Sequence, residues 1–262
     1  MNTTIHPSAV VMDGAEIGAG CDIGPFCYIG PDVRLGQNCK LQAHVVIDGH
    51  TTLGDDNEVY SFACLGKKTQ DLKDDGEVSY VEVGNGNVFR EYTTINAATA
   101  GGDTTRVGDN CHILSYSHIA HDCTIGNNVI ISSSFMVAGH VTIEDNAIIS
   151  GLGGIVQFVR VGAGSFIGGF TKLAKDLLPY TIAEGIPAET RSINKVGMER
   201  RGMSKDEVKA AHQAFKTILR SGLTVEEAAA ELRRDYADYD VVEQMVAFAE
   251  SSTVGLARPK AK

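Results

Sequence analysis

The chain has 262 residues, of which 43% are hydrophobic, enough for one large packed domain and a small second one, so a disordered chain is not expected. A formal net charge of -10 argues against general nucleic-acid binding, because neutralising phosphates requires an excess of Lys and Arg. The chain shows neither a stretch of about 18 apolar residues nor a signal peptide, so we expect a cytoplasmic protein with no membrane insertion.

A six-residue repeat runs through the first two thirds of the chain. Large apolar residues recur every six positions from Ile5 to Leu173, and only Asp71, Glu77 and Gly101 interrupt the pattern. This period is typical of a prism in which each hexad supplies one short strand and one corner, so that three hexads form a coil of 18 residues. We therefore predict a mainly β chain, a left-handed parallel β-helix of hexapeptide repeats, with a small C-terminal α-helical domain.

Two other places in the hexad are restricted. Glycine often follows the aliphatic residue, as at Gly18 and Gly36, and we attribute this to corners that need a positive φ. The residue two places before the aliphatic one is usually small. Five of the six cysteines occupy that place: Cys21, Cys27, Cys39, Cys111 and Cys123. Because the chain has no C-x-x-C pair, we predict small core residues and neither metal ligands nor redox groups.

The breaks in the repeat predict two loops, at residues 66–80 and 97–105. A β-helix accepts an insertion only where a loop leaves the prism, and loops on a rigid scaffold often carry function. The first loop contains the polar run Gln70-Asp71-Leu72-Lys73, which could reach a ligand. A plain solvated loop is the alternative.

Helical patterns replace the repeat after Pro179. Three helix starts are predicted from capping boxes, in which a Ser, Thr or Asp precedes a Glu by three residues: Ser204 with Glu207, Thr224 with Glu227, and Asp240 with Glu243. We therefore divide the chain into a β-helix domain at 1–190, which carries both loops, and a helical domain at 191–262.

In such a prism, residues 18 apart lie above one another at about 4.8 Å. Polar residues that are scattered in the sequence then converge on one corner, in two neighbouring columns and on one coil edge: His121, Gly139 and Gln157; Asp122 and His140; and His118.

This cluster has the parts that acyl transfer requires. His121 is a candidate general base, Asp122 could fix its tautomer, and the Gly139 N–H could donate to an oxyanion. The sequence shows no Ser-His-Asp or Cys-His nucleophile arrangement, so we predict direct transfer rather than an acyl-enzyme.

A zinc site is the alternative use of histidines on a β-helix, as in the γ-class carbonic anhydrases, which have H-x-x-x-x-H within one coil and a third histidine from an earlier coil. Here the closest pair is His118-Ile119-Ala120-His121, and no upstream histidine has the matching position. We therefore predict no metal.

The string His118-Ile119-Ala120-His121-Asp122-Cys123, the loop Gln70-Asp71-Leu72-Lys73 and the helical tail together resemble the UDP-N-acetylglucosamine O-acyltransferases, which open lipid A synthesis. The resemblance spans nearly the whole chain. It implies a homotrimer with active sites between adjacent prisms. It also implies transfer of a 3-hydroxyacyl chain from the phosphopantetheine of acyl carrier protein to the 3-position of UDP-N-acetylglucosamine, with no other cofactor.

The resemblance implies a role for each matching residue. His121 is the general base, Asp122 orients it, and the Gly139 N–H supports the oxyanion. Substrate contacts are implied for a further set of residues: Gln70, Asp71, Lys73, His118, His140, Gln157, Gly169, Asn194 and Arg200.

Some of these contacts are specific. The resemblance places Asp71 near the hydroxyl of the acyl chain and Gly169 where side-chain size limits acyl length. It places Asn194 and Arg200 at the phosphates or the uracil of the nucleotide.

Four residues depart from the better-known members: Val156, Pro187 and Asn96 stand where histidine is expected, and Val196 where glutamate is expected. All four lie in or near the implied substrate region. One hypothesis is therefore a 3-amino-3-deoxy acceptor, which would give an amide. A CoA-dependent sugar N-acyltransferase is a second hypothesis, and a trimeric β-helix that binds without catalysis is a third.

Overall fold

The hexads form the three faces of a prism in a computed structural model that describes residues 2–260. Each strand pairs in parallel with the strand one coil away, as Ile113 does with Ile131 and Ile119 with Val137, so an uninterrupted coil takes 18 residues. The predicted fold, a left-handed parallel β-helix with a small helical C-terminus, is confirmed.

Each face of the prism is one sheet. Face 1 consists of Thr4–Ile5, Asp22–Ile23, Lys40–Leu41, Glu58–Val59, Val88–Phe89, His112–Ile113, Ile130–Ile131, Ile148–Ile149, Phe166–Ile167, Thr181–Glu184 and Glu189–Ile193. Face 2 consists of Val10–Val11, Tyr28–Ile29, Val46–Ile47, Cys64–Lys67, Thr94–Asn96, His118–Ile119, Phe135–Val137, Gly153–Ile155 and Lys172–Leu173. Face 3 consists of Glu16–Ile17, Arg34–Leu35, His50–Leu53, Tyr80–Val83, Thr104–Val107, Thr124–Ile125, Thr142–Ile143 and Arg160–Val161.

The aliphatic residues of the hexads point into the prism and fill it. Ile23, Ile47 and Ile131 have no exposed surface, and burying such a side chain contributes about 1.5–3 kcal/mol. Ile5 keeps the same register but is 45% exposed, because it lies in the first coil and has a coil on one side only.

The glycines that follow the aliphatic residues are required for a different reason from the predicted one. Gly18 and Gly36 do not have a positive φ, so that prediction was wrong for them, whereas Gly66, which follows Leu65, has one. A Cβ on Gly18 would lie 2.3 Å from the carbonyl oxygen of Gly36 in the next coil, so glycine is needed where two coils approach closely. The left-handed corner residues come two places later, and most of them carry side chains, as at Phe26, with φ 58°.

The cysteines occupy the small inward places that the repeat predicted. All six are free, and the five in this place are at most 1% exposed. Their thiols donate to corner carbonyls, as Cys21 Sγ does to Gly36 O at 3.1 Å and Cys123 Sγ to Ala138 O at 3.1 Å. Burial raises the pKa of the Cys123 thiol to about 12, so it stays protonated and unreactive.

Both insertions leave the prism at the corner that joins face 2 to face 3, here called corner 2–3. Residues 68–79 connect Cys64–Lys67 to Tyr80–Val83, and residues 97–103 connect Thr94–Asn96 to Thr104–Val107. The strand pairing continues across each insertion, because Leu65 pairs with Ile95 and Ile95 with Ile119. The two loops therefore stack in consecutive coils, directly before the coil that contains His121.

Beyond the last face 2 strand, an antiparallel hairpin extends face 1, and four helices follow: α1 Lys195–Arg200, α2 Lys205–Arg220, α3 Val225–Asp235 and α4 Asp240–Glu250. The helices have their own buried core, which includes Met198, Phe215 and Met245. The domain boundary predicted at 190/191 falls within the strand Glu189–Ile193. Between residues 2 and 260, no helix has the length and apolar character needed to cross a bilayer.

The first two predicted capping boxes are present, at the starts of α2 and α3. The third prediction was wrong, because α4 begins at Asp240 itself and its N-cap residue, Tyr239, makes no side-chain capping hydrogen bond. Glu243, the expected partner, is instead held by the guanidinium of Arg233 at 2.7 and 2.9 Å. An ion pair between helices has replaced the local cap.

Candidate active site

Corner 2–3 brings together the polar column that the 18-residue spacing predicts. His121 lies between a face 2 strand and a face 3 strand, and the two following coils place Gly139 and Gln157 above it. The N–H of His140 donates to His121 O at 3.0 Å, and the N–H of Phe158 donates to Gly139 O at 3.2 Å. These hydrogen bonds fix the spacing between the three corner residues.

His121 and Asp122 form a buried pair. His121 Nδ1 lies 2.7 Å from Asp122 Oδ2, and the two side chains are 7% and 8% exposed. A carboxylate accepts only, so Nδ1 carries the hydrogen and Nε2 keeps a free lone pair. The N–H of Asp122 donates to Thr105 Oγ1 at 2.8 Å, which fixes the backbone beneath the carboxylate.

Gly139 lies against the imidazole of His121. A Cβ on Gly139 would come within 2.4 Å of His121 Cε1 and 2.6 Å of Nε2, so only glycine leaves room for the ring. The neighbouring N–H groups of Ala138 and His140 donate to backbone carbonyls. Within residues 2–260 the Gly139 N–H has no acceptor. A buried N–H without a partner is costly, so this group is available to a ligand.

His118 lies on face 2 beside the pair and is uncharged at neutral pH. Burial lowers the pKa of its imidazole below the usual value, and the nearby His121 lowers it further. His118 Nδ1 lies 2.8 Å from Thr94 Oγ1, which orients the ring. Because Thr94 engages Nδ1, only Nε2 is left for a substrate, as a donor or as an acceptor according to the tautomer.

His140 shares the carboxylate of Asp122. Its Nε2 lies 3.5 Å from Asp122 Oδ2, and its ring stacks on Phe158 with centroids 4.6 Å apart. The ligand atoms of His121, Asp122 and His140 all lie within 4.8 Å of one another, which a metal ion could bridge. The 2.7 Å contact between His121 and Asp122 is the geometry of a direct hydrogen bond, and the prediction of no metal stays a prediction.

A cavity of about 790 Å³ opens beside these residues. The first loop contributes Gln70, Asp71 and Leu72 to the walls of the cavity. Corner 2–3 contributes the polar column of His121, Gly139 and Gln157. The face 2 side of the cavity is mainly apolar: Ala120, Met136, Val137, Ala138, Ile155 and Val156. Polar groups at one side and an apolar floor are suited to a ligand with a polar head and a hydrocarbon chain.

Four residues that the resemblance placed at the substrate do not line this cavity. Lys73 is an exposed loop residue, and Gly169 is exposed at the corner between faces 1 and 2. Asn194 is buried, where it caps α1 and donates to Gly164 O at 2.9 Å. Arg200 lies on the same short helix. Their predicted substrate contacts stay predictions.

Two residues at the site were missed in the sequence. Thr99 contacts both members of the buried pair, with its Oγ1 3.0 Å from His121 Nδ1 and its N–H 3.2 Å from Asp122 Oδ1. Thr69 Oγ1 lies 2.9 Å from Thr99 Oγ1. Neither lies a multiple of 18 residues from His121, because the loops interrupt the coil. Both breaks in the hexapeptide repeat fall at the corner where His121 lies. This coincidence is the signal in the sequence that could have indicated Thr69 and Thr99.

Asn96, one of the four departures, anchors the first loop. Its Nδ2 donates to Lys68 O at 2.9 Å and to Lys67 O at 3.3 Å. Its Oδ1 is buried and has no hydrogen-bond partner in the part of the chain that the structure describes.

Comparison with known proteins agrees with the fold. Residues 176–257 match the family profile described as UDP-N-acetylglucosamine O-acyltransferase, domain 2. Residues 1–31 and 104–134 match the bacterial transferase hexapeptide profile.

Similar whole proteins carry the same name. The acyl-(acyl-carrier-protein)-UDP-N-acetylglucosamine O-acyltransferase of Synechocystis sp. is 40% identical over 209 residues, which are 80% of this chain and 75% of that protein. A Campylobacter jejuni UDP-N-acetylglucosamine acyltransferase structure is 38% identical with a TM-score of 0.91, covering 98% of this chain and 100% of its own. The Francisella novicida enzyme is 35% identical with a TM-score of 0.92, covering 97% and 94%. The chain belongs to the UDP-N-acetylglucosamine O-acyltransferase family.

Proposed function

We propose that the chain transfers a 3-hydroxyacyl group from acyl carrier protein to the 3-hydroxyl of UDP-N-acetylglucosamine. The observation that carries the proposal is the buried pair His121 and Asp122, which faces a cavity with an unpaired Gly139 N–H at its edge. The relatives are named for this donor and this acceptor. We also propose that the reaction takes place in the cytoplasm, as the sequence suggested.

The residues supply a general base and an oxyanion donor. His121 Nε2 removes the proton of the sugar 3-hydroxyl, while Asp122 holds the opposite ring nitrogen and stabilises the imidazolium. The sugar oxygen attacks the thioester carbonyl carbon, and the resulting oxyanion takes a hydrogen bond from the Gly139 N–H. The oxyanion then re-forms the carbonyl, the carbon–sulfur bond breaks, and the imidazolium protonates the leaving phosphopantetheine thiolate to the thiol. The acyl group is carried by the donor, so the proposed chemistry uses no further cofactor.

The remaining cavity residues position the two substrates. Gln70 and Asp71 are proposed at the acyl group, with Asp71 at its hydroxyl. His118, His140 and Gln157 lie beside the base and are proposed at the sugar and the thioester carbonyl. The apolar floor of the cavity takes the hydrocarbon chain.

We also propose that the chain forms a homotrimer. Asn194 and Arg200 lie away from the cavity of their own chain, so a nucleotide contact requires a second copy. The corner between faces 1 and 2 carries exposed rings that stack at 4.8 to 5.1 Å, an apolar strip typical of an interface. The rings belong to Phe26, His44, Phe62, Tyr92 and Tyr116. Lys73 and Gly169 are likewise proposed to meet substrate in the assembled form.

A mass-spectrometric assay tests the donor and the acceptor together. The purified protein is given a mixed pool of 3-hydroxyacyl carrier proteins and the corresponding acyl-CoA thioesters, with UDP-N-acetylglucosamine or with its 3-amino-3-deoxy analogue. We expect an ester of UDP-N-acetylglucosamine. Because Val156 lines the cavity, the analogue is the second acceptor to be compared. Strong preference for it would change the proposed acceptor atom, and preference for acyl-CoA would refute the proposed donor.

The first variant to be tested is His121→Ala, with His6→Ala as the control because His6 is exposed on the first coil. General-base catalysis typically contributes about 10²- to 10⁴-fold, so kcat of His121→Ala should fall by about three orders of magnitude. Trimeric binding without catalysis would be supported if both variants and the parent protein showed equal, background turnover.

A further inference from the structure

A chain of hydroxyl contacts joins the buried pair to both loops. Thr99, in the second loop, has its Oγ1 3.0 Å from His121 Nδ1 and 2.9 Å from Thr69 Oγ1. Thr69, at the start of the first loop, accepts a hydrogen bond from the N–H of Asp71 at 3.1 Å. The contacts therefore run from the imidazole to the backbone of a residue that lines the cavity.

The donors and acceptors in this chain are consistent in one direction. The carboxylate of Asp122 at 2.7 Å requires the hydrogen of the imidazole to be on Nδ1. This one hydrogen is shared between Asp122 and, at the longer distance of 3.0 Å, Thr99 Oγ1, which therefore accepts from His121. The Thr99 hydroxyl is then free to donate to Thr69 Oγ1. That oxygen has two lone pairs, one for Thr99 and one for the N–H of Asp71.

Thr99 also holds the other member of the pair. Its backbone N–H lies 3.2 and 3.3 Å from the two carboxylate oxygens of Asp122. One residue thus contacts the carboxylate through its backbone and the imidazole through its side chain. Thr99 is half-buried and Thr69 is at the limit of burial, so water competes little for these hydrogen bonds.

We propose that Thr99 is a positioning residue for His121, and that the Thr69–Thr99 contact couples the first loop to the orientation of the imidazole. The inference rests on the proposed role of His121 as the base. When the loop closes on the acyl donor, Thr69 holds the Thr99 hydroxyl against Nδ1. When the loop is displaced, the imidazole keeps Asp122 but loses its second contact, and Nε2 is aimed less accurately at the acceptor hydroxyl.

Substitutions at Thr99 separate its hydroxyl from its backbone. Thr99→Val keeps the shape and the N–H to Asp122 but removes the hydroxyl, so we expect kcat to fall about tenfold with little change in either KM. Thr99→Ser restores the hydroxyl and should keep kcat within about twofold. Thr93→Val is the matched control, because its hydroxyl bonds Leu114 O outside the site. Melting temperatures are measured for all three variants.

A double-mutant cycle tests the coupling itself. If Thr69 acts through Thr99, the variant with both valines should lose no more kcat than Thr99→Val alone. Losses that multiply would overturn the coupling, and equal losses in Thr99→Ser and Thr99→Val would overturn the role of the hydroxyl. An active His121→Ala variant would refute the proposed function, whereas an inactive one with a fully active Thr99→Val would refute only this inference.

Discussion

The close contact between Gly139 and His121 leaves no room for a side chain at position 139. In Gly139→Ala, the new methyl group would lie 2.6 Å from Nε2, so the ring must rotate away from the acceptor. We expect kcat to fall about 100-fold, as when one catalytic hydrogen-bonding group is misplaced, while KM changes little. Steady-state kinetics measures both, and circular dichroism checks the fold. A raised KM with unchanged kcat would contradict a role in the transition state.

His118 links the site to stability at low pH. Its pKa is lowered in the folded protein, mainly by burial, so the unfolded chain takes up a proton first as the pH falls. The folded state therefore loses stability as the pH drops below about 6.5, the usual histidine pKa. His118→Asn removes this proton uptake, so its melting temperature should fall less than that of the parent between about pH 7 and pH 5.

The control for this prediction is His6→Asn, which removes an exposed histidine from the first coil. Its melting temperature should follow the parent curve across the same pH range. An identical acid dependence in parent and His118→Asn would contradict the assigned cause.

For single residues, the sequence predicts which side chains lie one coil apart, but it does not predict which loop residues reach the site. The column of His121, Gly139 and Gln157 follows from an uninterrupted 18-residue spacing. Thr99 precedes the base by one coil plus a loop, and no periodic rule places a residue inside a loop. The burial of Asn194 was also unforeseen, because its role as a helix cap depends on the end of the hairpin.

Both the local sequence and the packing against neighbouring helices determine where a helix forms in this chain. In α2, Ser204 accepts from the N–H of Glu207 while the Glu207 carboxylate accepts from the N–H of Ser204, and burial of Val208 and Phe215 fixes the helix on its neighbours. Ser204→Ala removes one half of the box and should lower the free energy of unfolding by about 1 kcal/mol.

The comparison variant is Asp240→Ala, at the start of α4. Asp240 makes no side-chain capping hydrogen bond, so its loss should cost clearly less than the loss of Ser204. Urea unfolding followed by far-ultraviolet circular dichroism measures both. Equal costs would mean that the capping hydrogen bond does not stabilise α2.

The strands could be predicted from the sequence, whereas the backbone conformation of the corners could not. A hexad with one obligatory aliphatic residue determines strand, face and register together, so every uninterrupted coil lies where the repeat predicts. The corner conformation depends on three-dimensional crowding between coils, which a one-dimensional pattern does not express. Gly18 is required by the carbonyl of Gly36, whereas residues with side chains, such as Asp122 with φ 60°, take the left-handed conformation.

Because such left-handed residues occur at corners throughout the prism, the positive φ of Asp122 is a property of the fold and not a mark of the site. What distinguishes corner 2–3 is its polar content and its loops. The function therefore depends on which side chains occupy a corner that is otherwise ordinary.

At the scale of the whole molecule, His121 is separated from helix α1, whose residues Asn194 and Arg200 the resemblance predicts at the nucleotide. His121 lies at corner 2–3. Asn194 donates to Gly164 O, and Arg201 donates to Asn146 O and Gly164 O, so α1 is held at the corner between faces 3 and 1. Gly164 and Gln157 belong to the same coil, so the two places lie at one height along the prism but on different corners. We therefore propose that a neighbouring prism brings them together.

This separation predicts complementation between two inactive chains. If Arg200 serves the cavity of a neighbour, a site is intact when its base comes from an Arg200→Ala chain and its arginine from a His121→Ala chain. Co-expression of the two variants in equal amounts should leave about a quarter of the sites intact, because the chains combine at random in a symmetric ring. Each variant alone should be nearly inactive. If Arg200 instead served its own chain, no mixed assembly would contain an intact site, and the co-expressed protein would be as inactive as the single variants. Purification through two different affinity tags keeps only the mixed assemblies, in which about one site in three is intact if the ring is a trimer. The ester-forming assay then distinguishes the two outcomes.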